Sequence, residues 1–128
     1  HEQQADVLRV ALLDELALVG AYEGTLAIYP ELRGSLGGIT DQHRAHAREL
    51  GATEADFTDL APIPPKATNA REAITNLISR ERRAAEQRAQ TAEQSESAEQ
   101  VRAFTFIAAS ESSHVPELRD IRSGVSRS

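Results

Sequence analysis

The stretch that decides the fold lies near the carboxyl end, where residues 101–121 read VRAFTFIAASESSHVPELRDI. Side chains that recur there every three or four residues form one stripe: Val101, Phe104, Ile107, Glu111, His114, Leu118 and Ile121. This period places them on one face of an α-helix. The stripe is apolar except for Glu111 and His114, and burying an unpaired charge is costly. The sequence therefore predicts an amphipathic helix that carries an acid and an imidazole into a core.

Three earlier segments show the same period, and no segment shows the alternation typical of a strand. We predict an all-α fold in one domain over residues 1–128, with four helices over about residues 5–29, 31–50, 69–93 and 95–121. Residues 52–68 hold three prolines and little periodicity, which predicts a long crossover between helices 2 and 3. A short polar tail follows from residue 123.

Local signals predict where the helices begin and end. Gly51 is placed to stop the second helix, and Ser95 to begin the fourth. Asn69 is a cap for the third helix, with Glu72 at the capping-box position. Three glycines, each costing about 1 kcal/mol relative to Ala, predict a bent or frayed start of the second helix: Gly34, Gly37 and Gly38. We expect three apolar crossover residues to pack over the bundle: Phe57, Leu60 and Ile63.

Every predicted helix carries an acid or a histidine on its apolar stripe near mid-length, the level at which four helices converge. The predicted metal ligands are Glu15, His43, His46, Glu81, Glu111 and His114. Carboxylate oxygen and imidazole nitrogen suit Fe, Mn, Zn or Cu, and a cation would neutralise the buried negative charge. We predict a site for one or two divalent transition-metal ions.

The Glu111-Ser112-Ser113-His114 motif, together with Glu15 and Glu81, resembles the ligand pattern of the ferritin-like dimetal carboxylate proteins. In that superfamily two helices each supply a Glu and the other two each supply Glu-x-x-His. The resemblance covers residues 5–50 and 69–121 and implies a ferritin-like four-helix bundle. For a diiron site it also implies reaction of O2 with two carboxylate-bridged Fe(II) ions.

The second helix departs from this pattern, because His43 stands three residues before His46 where the superfamily has a carboxylate. Glu15, Glu81 and Glu111 supply three negative charges against the four positive charges of two divalent ions. We therefore expect a second ion to bind more weakly than the first. Asp41 and Gln42 point away from the stripe and are expected to support the ligands or face the surface.

Within the superfamily the chain is most similar to the compact ferritin-like domains of exported actinobacterial proteins. Membership implies a signal or lipoprotein segment upstream and location outside the cytoplasm or at the cell envelope. The chain starts at His1 and contains no Met, which agrees with removal of an upstream segment or with trimming. The sequence leaves a homodimer open.

Composition excludes several other classes. The net charge of -6 argues against a nucleic-acid binder. The absence of Cys excludes thiolate metal sites, and no apolar run approaches the roughly 20 residues that span a bilayer. We find no nucleophile triad, phosphate-binding glycine loop or nucleotide fingerprint, and we assign no catalytic residue.

Three functions stay open. The first is a metal-binding bundle that stores, senses or oxidises a transition metal. The second is a non-catalytic structural or interaction domain whose buried polar residues bind one another without metal. The third is a haem bundle with two histidine axial ligands. In addition, Tyr22 could hydrogen-bond a ligand carboxylate, but we favour the interpretation that it is a core aromatic. We interpret Arg88 as part of a solvated charged face.

Overall fold

Over residues 2–125, the part of the chain that the computed structural model describes, every regular element of the fold is a helix. Its helices, in chain order, are α1 (Glu2–Ile28), α2 (Arg33–Glu49), α3 (Glu54–Thr58), α4 (Ala70–Gln94) and α5 (Ala98–Ser123). A 3-10 turn over Pro30–Leu32 joins α1 to α2. No strand occurs within these residues, so the all-α prediction is confirmed. His1 and residues 126–128 of the polar tail lie outside the described residues.

The helix ends follow local hydrogen bonding. Gly51 stops α2 as predicted, with a φ of 105° that favours glycine. Asn69 caps α4 by accepting a hydrogen bond from the Glu72 N–H at 2.8 Å. The Glu72 carboxylate accepts instead from Thr68, so the reciprocal half of the predicted capping box is absent. The start predicted for the fourth helix was wrong, because Ser97 rather than Ser95 accepts from the first turn of α5.

The crossover between α2 and α4 contains a short helix, α3, that the sequence pattern did not predict. Thr53 and Asp56 form a capping box at its start, and five residues are too few to show a helical period. Further along, the Ile63 N–H donates to the Gly20 carbonyl of α1 at 2.8 Å. A Cβ at Gly24 would collide with the Ile63 backbone. Gly20 and Gly24 thus let the crossover lie directly on α1.

The four long helices are neighbours in a ring, in which α1 contacts α2 and α4, and α5 contacts α4 and α2. Tyr22 of α1 meets Glu81 of α4, whereas the earlier Asp14 meets the later Arg88. These two contacts show that α1 and α4 run antiparallel. The middles of the α1 and α4 stripes therefore lie at a common depth.

Two apolar clusters fill the core on either side of that depth. The large apolar cluster comprises Ala21, Tyr22, Leu26, Leu32, Leu36, Ile39, Ile74, Leu77, Ile78, Val115 and Leu118. The small apolar cluster comprises Ala11, Ala92 and Phe104, with Leu8 and Leu50 packed against it. Burying these side chains is the main source of stability for the fold. Among the described residues, no helix is both long and apolar enough to cross a membrane.

Candidate metal centre

The structure brings all six predicted ligand residues together between the two apolar clusters. We call this set the Glu/His cluster: Glu15, His43, His46, Glu81, Glu111 and His114. Each is at most 4% exposed. The 3.6-residue helical period explains this placement, because each residue extends an apolar stripe that must face inward. Three acids and three imidazoles thus occupy a volume that would otherwise be apolar core.

His43 lies at the centre of the Glu/His cluster. Its Nδ1 is 3.1 Å from Glu15 Oε1 and 3.6 Å from Glu111 Oε2. Its Nε2 is 2.5 Å from Glu81 Oε2. The two edges of the ring therefore face carboxylates on opposite sides.

Potential ligand atoms fall into two groups that share His43. The first group is Glu15, His43, His46 and Glu111. The second group is His43, Glu81 and His114. Within each group, one ligand atom from every residue lies within 4.8 Å of the others, so either group could hold a metal ion.

Several atoms of the first group that could bind a metal are buried without a hydrogen-bond partner. They are Glu15 Oε2, His46 Nδ1 and both carboxyl oxygens of Glu111. Most buried polar atoms in folded proteins are hydrogen-bonded, and leaving one unpaired costs about 1–3 kcal/mol. An ion bound among these atoms would supply the missing interactions.

The electrostatics of the Glu/His cluster separate its acids into two kinds. Burial opposes ionisation of Glu15 and Glu81, but the neighbouring histidines hold the pKa of each below its ordinary value. Burial, reinforced by Glu15 and Glu81, raises the pKa of Glu111 to about 11. Glu111 is therefore protonated at neutral pH when no metal is bound.

The central histidine is protonated for a related reason. Burial opposes a charge on His43, but Glu15 and Glu81 raise its pKa to about 9. His43 therefore carries a proton on each ring nitrogen at neutral pH in the metal-free protein, and donates to Glu15 and Glu81. Metal binding to these residues requires loss of protons from His43 and Glu111.

The core position predicted for Tyr22 is confirmed, whereas the solvated face predicted for Arg88 is wrong. Tyr22 donates its hydroxyl proton to Glu81 Oε2 at 2.5 Å, in addition to packing in the large apolar cluster. Arg88 is only 2% exposed rather than solvated; its Nη2 donates to Asp14 at 2.9 Å, and its Nη1 lies 3.6 Å from Glu15. The position of Arg88, seven residues after Glu81 on the same stripe, was the available signal.

Gln42 was expected either to support a ligand or to face the surface, and the structure shows the first of these roles. Its Oε1 lies 2.5 Å from His114 Nε2, while His114 Nδ1 lies 3.2 Å from Glu81 Oε1. Gln42 therefore orients the His114 ring through Nε2, as a hydrogen bond to one nitrogen does in histidines that bind metal through the other, and Nδ1 faces Glu81 of the second group. Helix α2 thus reaches the second group through Gln42 as well as through His43.

The combined donor set of carboxylates and imidazoles suits a divalent transition metal rather than Mg²⁺ or Ca²⁺, which prefer oxygen alone. The chain was compared with protein-family models, with curated proteins and with solved structures, and none of them matches it. What the site binds is therefore inferred from its own donor atoms.

Proposed function

We propose that this chain is a ferritin-like protein that binds a divalent transition metal among its four long helices. The observation that carries the proposal is the set of buried, unpartnered donor atoms in the Glu/His cluster. A metal ion satisfies these atoms and offsets the carboxylate charge. Storage, sensing and oxidation of the metal are the functions proposed for this site.

The chemistry that a bound transition metal supplies is Lewis acidity and, for Fe or Cu, electron transfer. The chain's own residues orient the ligands and exclude water from them. Tyr22 and His114 fix the Glu81 carboxylate, and the two apolar clusters close the site above and below. Export to the cell envelope and homodimer formation remain predictions from sequence.

Glu111→Gln is the first test of metal binding. Gln has the shape of the protonated carboxyl that Glu111 carries without metal, so the metal-free variant should fold normally. It removes an anionic ligand, and we expect metal affinity to fall by more than the roughly 10–100-fold typical of losing a residue that merely supports a ligand. Metal content after dialysis against Fe, Mn, Zn or Cu, together with the metal-induced rise in Tm, measures the effect.

Glu117→Gln is the matched control, because Glu117 is exposed on the same helix and lies outside the Glu/His cluster. It should bind metal as the wild type does. If the wild type retains only trace metal and shows no rise in Tm, the metal-binding proposal fails. The same result would favour the alternative of a structural domain with a metal-free polar network, in which the hydrogen bonds of His43 to Glu15 and Glu81 organise the core.

A further inference from the structure

The position of His43 between the two ligand groups bears on how many ions the site binds and on which residue joins them. The ring is fully buried, and its two nitrogens face different carboxylates. Nδ1 faces Glu15 and Glu111 of the first group, and Nε2 faces Glu81 of the second group. Among the six residues of the Glu/His cluster, only His43 belongs to both groups.

We propose that the site binds two metal ions and that the imidazole of His43 bridges them, with Nδ1 bound to one ion and Nε2 to the other. This inference rests on the proposed metal-binding function. It deepens that function by replacing a carboxylate bridge with an imidazole bridge. The first ion has the donors of the first group, and the second ion those of the second group.

The ring orientation makes a bridge geometrically natural. The two nitrogens of an imidazole point away from each other, so one ring serves two ions only when donors are present beyond both edges. Glu15 and His46 lie beyond the Nδ1 edge, where His46 Nδ1 is 3.4 Å from Glu15 Oε1. Glu81 and His114 lie beyond the Nε2 edge. Both edges of His43 therefore meet an acid and a second imidazole.

The charges also balance under this arrangement. Two divalent ions bring four positive charges, and ionised Glu15, Glu81 and Glu111 bring three negative charges. An imidazole bound through both nitrogens has released its last ring proton to solvent, so it brings the fourth negative charge. Nearby Arg88 is offset by Asp14, to which it donates a hydrogen bond. This fourth negative charge removes the reason for expecting weaker binding of the second ion, which followed from counting three carboxylates alone.

The two ions would differ in accessibility to a further ligand. The first group offers four protein ligands, which fills a tetrahedral site. The second group offers three, which leaves a position for water or a small exogenous ligand. The second ion is thus the one at which an added anion should bind.

Copper titration tests the bridge, because Cu(II) has the highest affinity among these divalent ions and an unpaired electron. Two Cu(II) ions joined through one imidazole couple magnetically, and the pair loses its ordinary resonance at low temperature. We expect the wild type to bind two Cu(II) ions per chain. Its integrated electron paramagnetic resonance signal should rise to one equivalent and fall, rather than double, as the second ion binds.

His43→Gln and His46→Gln form a matched pair on α2. The first variant removes the bridge, so any two ions that it binds should give a doubled signal. The second removes a ligand of the first group alone, so the signal should still fall at saturating copper. If His43→Gln does not fold, the wild-type titration decides the question by itself.

Three wild-type results would overturn the bridge while leaving metal binding intact. They are a single ion per chain, two ions with a doubled signal, and a metal–metal separation of about 3.5–4 Å by X-ray absorption, the distance typical of closely bridged dinuclear sites. An imidazole bridge holds the ions farther apart. Absence of any bound metal would instead overturn the proposed function itself.

Discussion

The hydroxyl of Tyr22 gives a sharp test at the scale of single residues. It donates to Glu81 Oε2, which also accepts from His43. We expect Tyr22→Phe to lower the free energy of unfolding of the metal-free protein by about 1–3 kcal/mol, because a hydrogen bond to a buried charge is lost. Urea denaturation measures the change.

Tyr29→Phe is the control for this substitution, because Tyr29 is half-buried at the edge of the large apolar cluster and lies outside the Glu/His cluster. Its free energy of unfolding should change by less than about 0.5 kcal/mol. Equal losses in the two variants would show that the Tyr22 hydroxyl contributes nothing specific to Glu81.

The sequence predicted the members of the Glu/His cluster because each extends an apolar stripe with helical period. It did not predict their pairing, which depends on how far each helix is shifted along its neighbour. Tyr22 and Arg88 show the limit of the pattern. An aromatic ring on a stripe is explained by burial alone, and an arginine among other arginines resembles a solvated face. Only the meeting of α1 with α4 shows that both side chains contact acids at the site.

At the scale of helices, the glycines show which features of a helix can be predicted from sequence and which depend on contacts with distant residues. The predicted weak start of α2 is observed as continuous helix from Arg33, after the 3-10 turn. The sequence does not distinguish Gly20 and Gly24 from other residues of α1, because this helix is long and otherwise regular. Their role depends on the crossover from residue 61 to residue 63, which is distant in sequence. Similarly, α3 depends on a local capping box rather than on a periodic stripe.

Gly38→Ala should stabilise the protein by about 0.5–1 kcal/mol. Gly38 is exposed within α2, and a Cβ there would meet no atom within 4 Å. Alanine restricts the unfolded chain and favours the helix. Urea denaturation of the metal-free protein measures the gain. A loss of stability would mean that the helix needs glycine there for a reason other than space.

Gly24→Ala is the opposing member of this pair. Its added Cβ would collide with the Ile63 backbone, which is tied to α1 by the bond to Gly20. We expect a loss of about 1–3 kcal/mol, as for other overpacked sites. Stability equal to that of the wild type would show that the crossover is not held against α1.

At the scale of the whole molecule, the Glu/His cluster links folding, protons and metal. In the metal-free fold the pKa of His43 is raised to about 9 and that of Glu111 to about 11, from ordinary values of 6.5 and 4.5. Between pH 6.5 and 9 the folded chain therefore holds two protons that the unfolded chain has released. Stability from His43 is fully present below pH 6.5 and is lost as the pH rises through 9. Glu15 and Glu81 have lowered pKa values, so the stability that they contribute is lost as the pH falls, and only in acid.

We therefore expect the Tm of the metal-free protein, measured with a chelator present, to fall steadily from about pH 6.5 to pH 9, where each retained proton costs up to about 1.4 kcal/mol per pH unit. Metal should reverse the trend, because it replaces those protons and binds more tightly as they leave. The rise in Tm on adding Zn²⁺ should accordingly grow with pH over this window. Glu111→Gln, which has no proton to release at that position, should show a shallower fall without metal. A metal-free Tm that is constant from pH 6.5 to pH 9 would mean that the cluster holds no such protons, and that its acids and imidazoles are neutralised in some other way.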